Sequence, residues 1–271
     1  MSPVRDTPQH QQRLRPRKKS SPSSGKVYIY GTHALKEALA SAPHAVRKVF
    51  LSREQQDDPE LQALLKQHAT PTAELARGRG NDLVGRDAVH QGVIALIDPS
   101  SLLVPFDAFL DALVISKNPA VVVLGEVQDP HNVGAIIRSA AAFGLAGVLI
   151  PEHNQARITG AVVKASAGMA FRIPLVPIGN VNRALEVLKK KGFWTYGLAA
   201  SGDMALAAER FDAPTVFVVG NEGRGIREKT LAACDVSLSI PMHERSESLN
   251  AAASAAVVFY AWSAKHPEAL A

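Results

Sequence analysis

The chain has 271 residues, 46% hydrophobic and 20% charged, enough to bury a substantial core in one large domain or two smaller ones. No uninterrupted apolar run reaches the roughly 18 residues of a membrane span, and the sequence opens on arginines and glutamines instead of a short apolar core, so a soluble, unexported protein is expected. A single cysteine, Cys234, excludes an internal disulfide and a thiolate metal site, and points to a reducing cytoplasm.

Residues 1–26 hold Arg5, Arg13, Arg15, Arg17, Lys18, Lys19 and Lys26 against Asp6 alone, a local charge of +6 within a net +5, so the remainder carries −1. Rich also in Ser, Pro and Gln, this segment lacks the apolar residues that would offset ordering entropy, and a flexible basic tail is expected. Such a tail is either a solvated arm or a tether that neutralises phosphates and releases counterions, holding RNA or DNA without sequence preference.

From residue 27 the pattern becomes that of a folded α/β chain. "KVYIYG", "VRKVFLS" and "HQGVIALI" predict strands; "THALKEALASA", with Leu35, Ala38 and Leu39 on one face, and "DPELQALLKQHA" predict helices, together a compact unit over 27–98. From Pro99 of "DPSSLLVP" a linker runs over 99–117 and includes a connecting helix "FDAFLDAL".

Residues 118–271 alternate apolar runs with amphipathic stretches. "AVVVLGEV", "AGVLIP", "RIPLV", "FWTYGLAA", "TVFVVG" and "VSLSIPM" predict strands. "VGAIIRSAAAFG", "GAVVKASAG", "VNRALEVLKKKG" capped by Asn180, "IREKTLAAC" and "LNAAASAAVVFYAW" predict helices. Strands this apolar, each followed by a helix, argue for a mostly parallel sheet with helices on both faces. Phe193, Trp194 and Tyr196 read as strand core.

Ligands of open α/β sheets bind beyond the carboxyl ends of the strands. Four exits there are unusual: "EVQDPHN", "LAASGD", "GNEGRG" and "IPMHERSESLN". In the first, Asp129 and Pro130 read as an N-cap and a first-turn residue. Arg138 follows Gly134 by one helical turn, a spacing that would let a bulky group approach beside the guanidinium, or would equally suit a surface arginine. In the third, Gly220, Gly223 and Gly225 let the backbone approach a ligand, but the order G-x-x-G-x-G without lysine fits neither a dinucleotide nor a phosphate-loop fingerprint. His131, His153 and His243 lack metal-ligand spacing, so no metal is expected.

Taken in order, "DPHNVGAIIRSA", "VVGNEGRGI" and "IPMHERSESLNAAASAA" resemble the three motifs of the SpoU (TrmH) family of RNA ribose 2′-O-methyltransferases in the SPOUT superfamily. The unit opening "IYGTHALKEAL" and closing "VHQGVIALI" resembles the small RNA substrate-binding domain often joined to it, in which His33 is a candidate RNA contact or an ordinary helix-start residue. The resemblance implies a C-terminal trefoil knot, S-adenosyl-L-methionine as cofactor, an RNA substrate with rRNA favoured over tRNA, and a homodimer in the cytoplasm. By the same resemblance Asn132, Arg138, Glu222, Ser248 and Asn250 are the catalytic candidates. Ala199, Ala200, Gly220, Asn221, Gly225, Ile240, Met242 and Leu249 fall where the family contacts the cofactor. One departure is Glu244, standing where many members have glycine, which puts the pocket or its entrance in question.

The implied reaction is attack by a ribose 2′-oxygen on a sulfonium-bound methyl, for which alignment alone can supply roughly 7–11 kcal/mol. A guanidinium with a pKa above roughly 12 is a poor base, so Arg138 is read as pairing with an RNA phosphate and stabilising the developing oxyanion, with that phosphate or Glu222 taking the proton. A non-catalytic RNA-binding or ribosome-assembly factor with this fold is the alternative, against which Arg138, Glu222 and Asn250 are all present. A small-molecule or nucleotide-binding α/β enzyme would leave the basic tail and the first unit without a use.

Overall fold

The computed structural model describes residues 26–86 and 88–271, so the basic tail lies, apart from Lys26, outside the described residues. The first unit is a four-stranded sheet built from β1 (Val27–Tyr30), β2 (Val46–Leu51), β3 (Thr72–Glu74) and β4 (Val93–Ile97), in the order β1-β4-β2-β3. β4 runs antiparallel to both neighbours, and β3 runs parallel to β2. Helix α1 (Thr32–Ser41) buries Leu35, Ala38 and Leu39 as its spacing predicts. Helix α2 (Pro59–Gln67) starts where Asp58 accepts from the Leu61 amide and Pro59 occupies the first turn. The sequence pattern missed β3 and α3 (Arg79–Val84) because three residues of strand are too short to display a period of two.

After α4 (Phe106–Ala112) the chain enters a seven-stranded sheet. Its strands are β5 (Ala120–Gly125), β6 (Gly147–Pro151), β7 (Leu175–Ile178), β8 (Trp194–Leu198), β9 (Met204–Ala205), β10 (Thr215–Gly220) and β11 (Val236–Ser239), in the order β7-β6-β5-β10-β8-β11-β9. Every pairing in it is parallel. Between the strands lie α5 (Pro130–Ala142), α6 (Gly160–Ala165), α7 (Val181–Lys190) and α8 (Glu228–Leu231), and α9 (Ala251–Ser263) follows the last.

Side-chain alternation sorts the two faces. Val122, Leu124, Phe217 and Val219 pack with Val133, Ile136, Ile137, Val162, Val258 and Phe259 of α5, α6 and α9. Val121, Val123, Val216 and Val218 pack with Phe109 of α4 and Leu185 and Leu188 of α7. Strands covered on both sides must be apolar throughout, which is why β5 and β10 were legible as unbroken runs.

Three predicted elements shift. β7 begins at Leu175, not Arg172, because Met169–Phe171 form a 3-10 turn and the Arg172 guanidinium is bound to Glu37 of α1. β11 ends at Ser239, releasing Ile240 to Met242 into a loop, and α8 is only four residues long. Trp194 is not core: it is 47% exposed, whereas Phe193 and Tyr196 are buried.

The two sheets share one buried cluster, running from Ile29, Leu35 and Leu39 through Phe171 to the α5 side of the large sheet. Backbones meet closely there: a Cβ on Gly160 at the start of α6 would lie 2.0 Å from the Tyr28 carbonyl oxygen, and one on Gly168 would lie 2.6 Å from Glu37 Cγ. Glu37 is 9% exposed, and the Arg172 guanidinium beside it holds its carboxyl below the usual carboxylate range. Among the described residues no helix is long and apolar enough to cross a membrane.

Candidate active site

Strands β5, β8, β10 and β11 run the same way, so their exit loops at 126–129, 199–203, 221–227 and 240–250 collect at one edge of the sheet. The cluster begins at α5. Asp129 Oδ1 accepts from the His131 amide at 2.8 Å and Pro130 fills the first turn, which fixes the helix start and turns Asn132 inward, 8% exposed. Asn132 Nδ2 donates to Glu222 Oε1 at 3.0 Å, and its Oδ1 accepts from Asn250 Nδ2 at 2.9 Å. Asn250 in turn caps α9, its Oδ1 accepting from the amides of Ala252 (2.9 Å) and Ala253 (3.2 Å). Side chains 90 and 118 positions apart thus form one continuous chain of hydrogen bonds.

Glu222 is more heavily engaged than its motif suggests. Oε1 also accepts from the Asp129 amide at 3.0 Å, and Oε2 from the Gln128 amide at 3.2 Å and Asn221 Nδ2 at 3.4 Å. Burial raises its carboxyl pKa, but the hydrogen bonds from Asn132 and from the main chain outweigh burial and hold it below the usual carboxylate range. A carboxylate so engaged ties the β5 and β10 loops together, a task its motif alone does not reveal.

The β10 loop closes on itself through glycine. Asn221 and Gly225 exchange main-chain hydrogen bonds at 3.0 and 2.9 Å, Gly225 has φ +67°, and a Cβ on Gly220 would lie 2.3 Å from the Gly225 carbonyl carbon. Asn221 Oδ1 accepts from the amides of Gly223 and Arg224, while its Nδ2 donates to the Glu126 carbonyl at 2.9 Å. Glu126 itself sits at φ +70° and pairs with Arg227 at 2.7 Å. The glycines therefore shape the loop, and Asn221 organises it.

A cavity of about 370 Å³ opens at this edge, within the range of small-molecule sites. Its wall includes all eight predicted cofactor contacts, namely Ala199, Ala200, Gly220, Asn221, Gly225, Ile240, Met242 and Leu249, together with Glu222 and Ser248. Most of the wall is small or apolar, and the main-chain amides of Met242 and Leu249 carry no hydrogen bond among the described residues. Such a lining suits a nucleoside-like ligand read through main-chain groups. Glu244 is exposed and absent from the wall, so the departure at this position leaves the cavity itself intact.

Two expectations change. Arg138 is exposed on α5, outside the cavity wall, and its side chain makes no hydrogen bond or ion pair among the described residues. Nor does Gly134 leave room beside it: a Cβ there would lie 2.4 Å from Ala165 Cβ and 2.7 Å from the Val162 carbonyl oxygen, so the missing side chain admits α6, not a ligand. Cys234 is a packing residue against Gly197, and burial pushes its thiol up to about 11. Among the described residues no group of three or more His, Cys, Asp and Glu could hold a metal ion. Sequence reasoning missed Arg224 on the wall and the Gln128 and Asp129 amides on Glu222; main-chain donors leave no mark on residue type.

Residues 119–260 match the SpoU rRNA methylase family, and residues 28–103 match the domain described as RNA 2′-O ribose methyltransferase substrate binding. The 23S rRNA (guanosine-2′-O-)-methyltransferase RlmB of Pseudomonas syringae pv. tomato is 34% identical over 235 residues, 86% of this chain and 93% of that protein. RlmB of Salmonella typhimurium is 32% identical over 235 residues, covering 86% of this chain and 96% of that protein. The SpoU methyltransferase AviRb from Streptomyces viridochromogenes, solved in complex with AdoMet, superposes with a TM-score of 0.77 at 24% identity over 90% of this chain and 91% of that one, a likeness of fold.

Proposed function

The chain belongs to the SpoU rRNA methylase family, and from that premise we propose that it methylates a ribose 2′-hydroxyl of structured RNA, ribosomal RNA ahead of transfer RNA, in the cytoplasm. The observation that carries this reading is the junction of Asn132, Glu222 and Asn250 beside a cavity walled by the eight predicted cofactor contacts. S-adenosyl-L-methionine, when bound, supplies an electrophilic methyl on a sulfonium. The loops at 199–200, 220–225 and 240–249 would hold it, largely by main-chain groups and small apolar contacts.

This chain's residues then have distinct tasks. Glu222, through Gln128, Asp129 and Asn132, keeps the β5 and β10 loops in register, and Asn250 fixes the start of α9 against them. Preorganised loops of this kind lower the barrier by holding the reacting oxygen in line, a contribution of roughly 7–11 kcal/mol at best. Ser248, on the wall, is the hydroxyl nearest in sequence to that cap and orients the ribose. Arg138 binds an RNA phosphate and stabilises charge on the 2′-oxygen while the proton passes to that phosphate or to Glu222.

Because Arg138 stands outside its own cavity, a second copy is part of the proposal. Val257 and Tyr260 project from α9 one turn apart, Tyr260 62% exposed and edge-on to Phe143 at 5.9 Å, an apolar face that a homodimer would cover. The return of α9 from β11 across to α5 is the segment proposed to thread the trefoil knot. The four-stranded unit and the basic tail would add RNA affinity.

The deciding experiment maps ribose methylation across ribosomal and transfer RNA from cells with and without the gene, alongside transfer of labelled methyl by purified protein to unmodified RNA. Loss of one ribosomal site, restored by the purified protein, is the expected result. If no site is lost and no methyl is transferred, the RNA-binding alternative replaces this reading.

A further inference from the structure

The β10 loop carries two arginines, and the structure accounts for one. Arg227 pairs with Glu126 at 2.7 Å. Arg224, three residues earlier, lines the cavity, is exposed, and its side chain makes no hydrogen bond or ion pair among the described residues. Its main chain is nonetheless fixed, the amide donating to Asn221 Oδ1 at 3.1 Å within the turn that Gly225 closes. Among the described residues the only other charged side chain on the wall is Glu222, whose oxygens accept from four donors and form no ion pair with Arg224. Among the described residues the cavity therefore has one cation whose main chain is fixed and whose side chain is unpaired.

The geometry points to Arg224 as the residue that binds the carboxylate of the cofactor's amino-acid end. This rests on the reading of the cavity as the S-adenosyl-L-methionine site, and deepens it. That molecule bears a sulfonium, an ammonium and a single carboxylate; the first two gain nothing from a guanidinium, and the third matches its planar fork in two parallel N–H···O bonds. A lysine would supply charge without the fork. An RNA phosphate is the competing anion, but Arg224 sits on the wall that also holds the predicted cofactor contacts, whereas Arg138 stands outside it and is free to meet RNA.

The test is isothermal titration calorimetry of the full chain, of Arg224→Ala and of Arg224→Lys, with S-adenosyl-L-methionine and with its decarboxylated analogue, which lacks only that carboxylate. The expected result is a roughly fivefold weaker affinity of Arg224→Ala for the complete molecule, the upper range for a solvent-facing pair, with a smaller loss in Arg224→Lys. Affinity for the decarboxylated analogue stays within about twofold of the parent in both variants, which also reports that the loop remains folded. The assignment is overturned if Arg224→Ala binds the complete molecule like the parent, if both ligands weaken equally, or if the loss appears only in RNA binding. Should the unaltered protein bind neither ligand, the methyltransferase reading fails with it; if it binds both and the variants change nothing, only the assignment of Arg224 fails.

Discussion

Asn132→Asp replaces the amide that links Glu222 to Asn250 with a group of the same shape and opposite preference. The wild-type Nδ2 donates to Glu222 Oε1 at 3.0 Å; in the variant two carboxylate oxygens face each other there. A hydrogen bond to a charged group is worth about 1.5–3 kcal/mol. Two unit charges at that separation repel by about 1 kcal/mol in bulk water and about 5 kcal/mol at an effective dielectric near 20. Glu222 is solvent-accessible, which favours the lower figure, and a total near 3 kcal/mol follows, or roughly 6–12 °C in Tm. The pH dependence identifies the cause. In the wild type the Glu222 carboxyl lies below its ordinary value, so its contribution is present above the unfolded pKa and is lost as pH falls through the folded one. In the variant one carboxyl of the pair is raised above the unfolded value, so the deficit is full at neutral pH and shrinks as pH falls through that raised value. Thermal denaturation followed by circular dichroism from pH 7.5 to 4.5 measures both. A deficit that does not change across that range would refute the assignment of Asn132 as the donor to Glu222.

Four other outcomes are expected. Gly134→Ala forces α5 and α6 apart at a site where the new Cβ meets Ala165 and the Val162 carbonyl, costing about 1–3 kcal/mol in a denaturant titration while leaving the loop residues untouched. Gly220→Ala, whose Cβ would fall on Gly225, opens the β10 loop and abolishes calorimetric binding of S-adenosyl-L-methionine, although the parallel sheet persists by circular dichroism. Glu37→Gln weakens the clamp on Arg172 between the two sheets; because the Glu37 carboxyl is depressed, chiefly by Arg172, the difference from wild type is present at neutral pH and narrows on acidification below about pH 4, with faster amide exchange in β1 and α6 as a second readout. Arg138→Lys keeps the charge but loses the fork, and turnover falls by about 100-fold or more with cofactor affinity unchanged; near-normal turnover in a labelled-methyl assay would contradict its role toward the 2′-oxygen.

Much of this protein is legible in its sequence. β5 and β10 announce themselves as unbroken apolar runs because burial on both faces admits nothing else, and the starts of α5 and α7 follow from Asp129 and Asn180 as side-chain caps. These are local facts, decided within a few residues. The three motif blocks, with the family they resemble, also located Gly220, Asn221, Gly225, Ile240, Met242 and Leu249 on the cavity wall.

What only the tertiary structure decided is how distant groups spend their hydrogen bonds. That Glu222 joins two loops is visible only once its donors at Gln128, Asp129 and Asn132 are brought to it. Gly134 reads as space for a ligand until α6 fills it, and Arg172 reads as the start of a strand until Glu37, 135 positions away, claims its guanidinium. Arg224 and Arg227 are indistinguishable in the string "GRGIR", yet one is paired and the other faces the cavity. Local propensity and periodicity depend on neighbours along the chain, whereas the pairing of charges and the filling of gaps depend on neighbours in space, and those are fixed only when the sheet brings its strand ends to one edge.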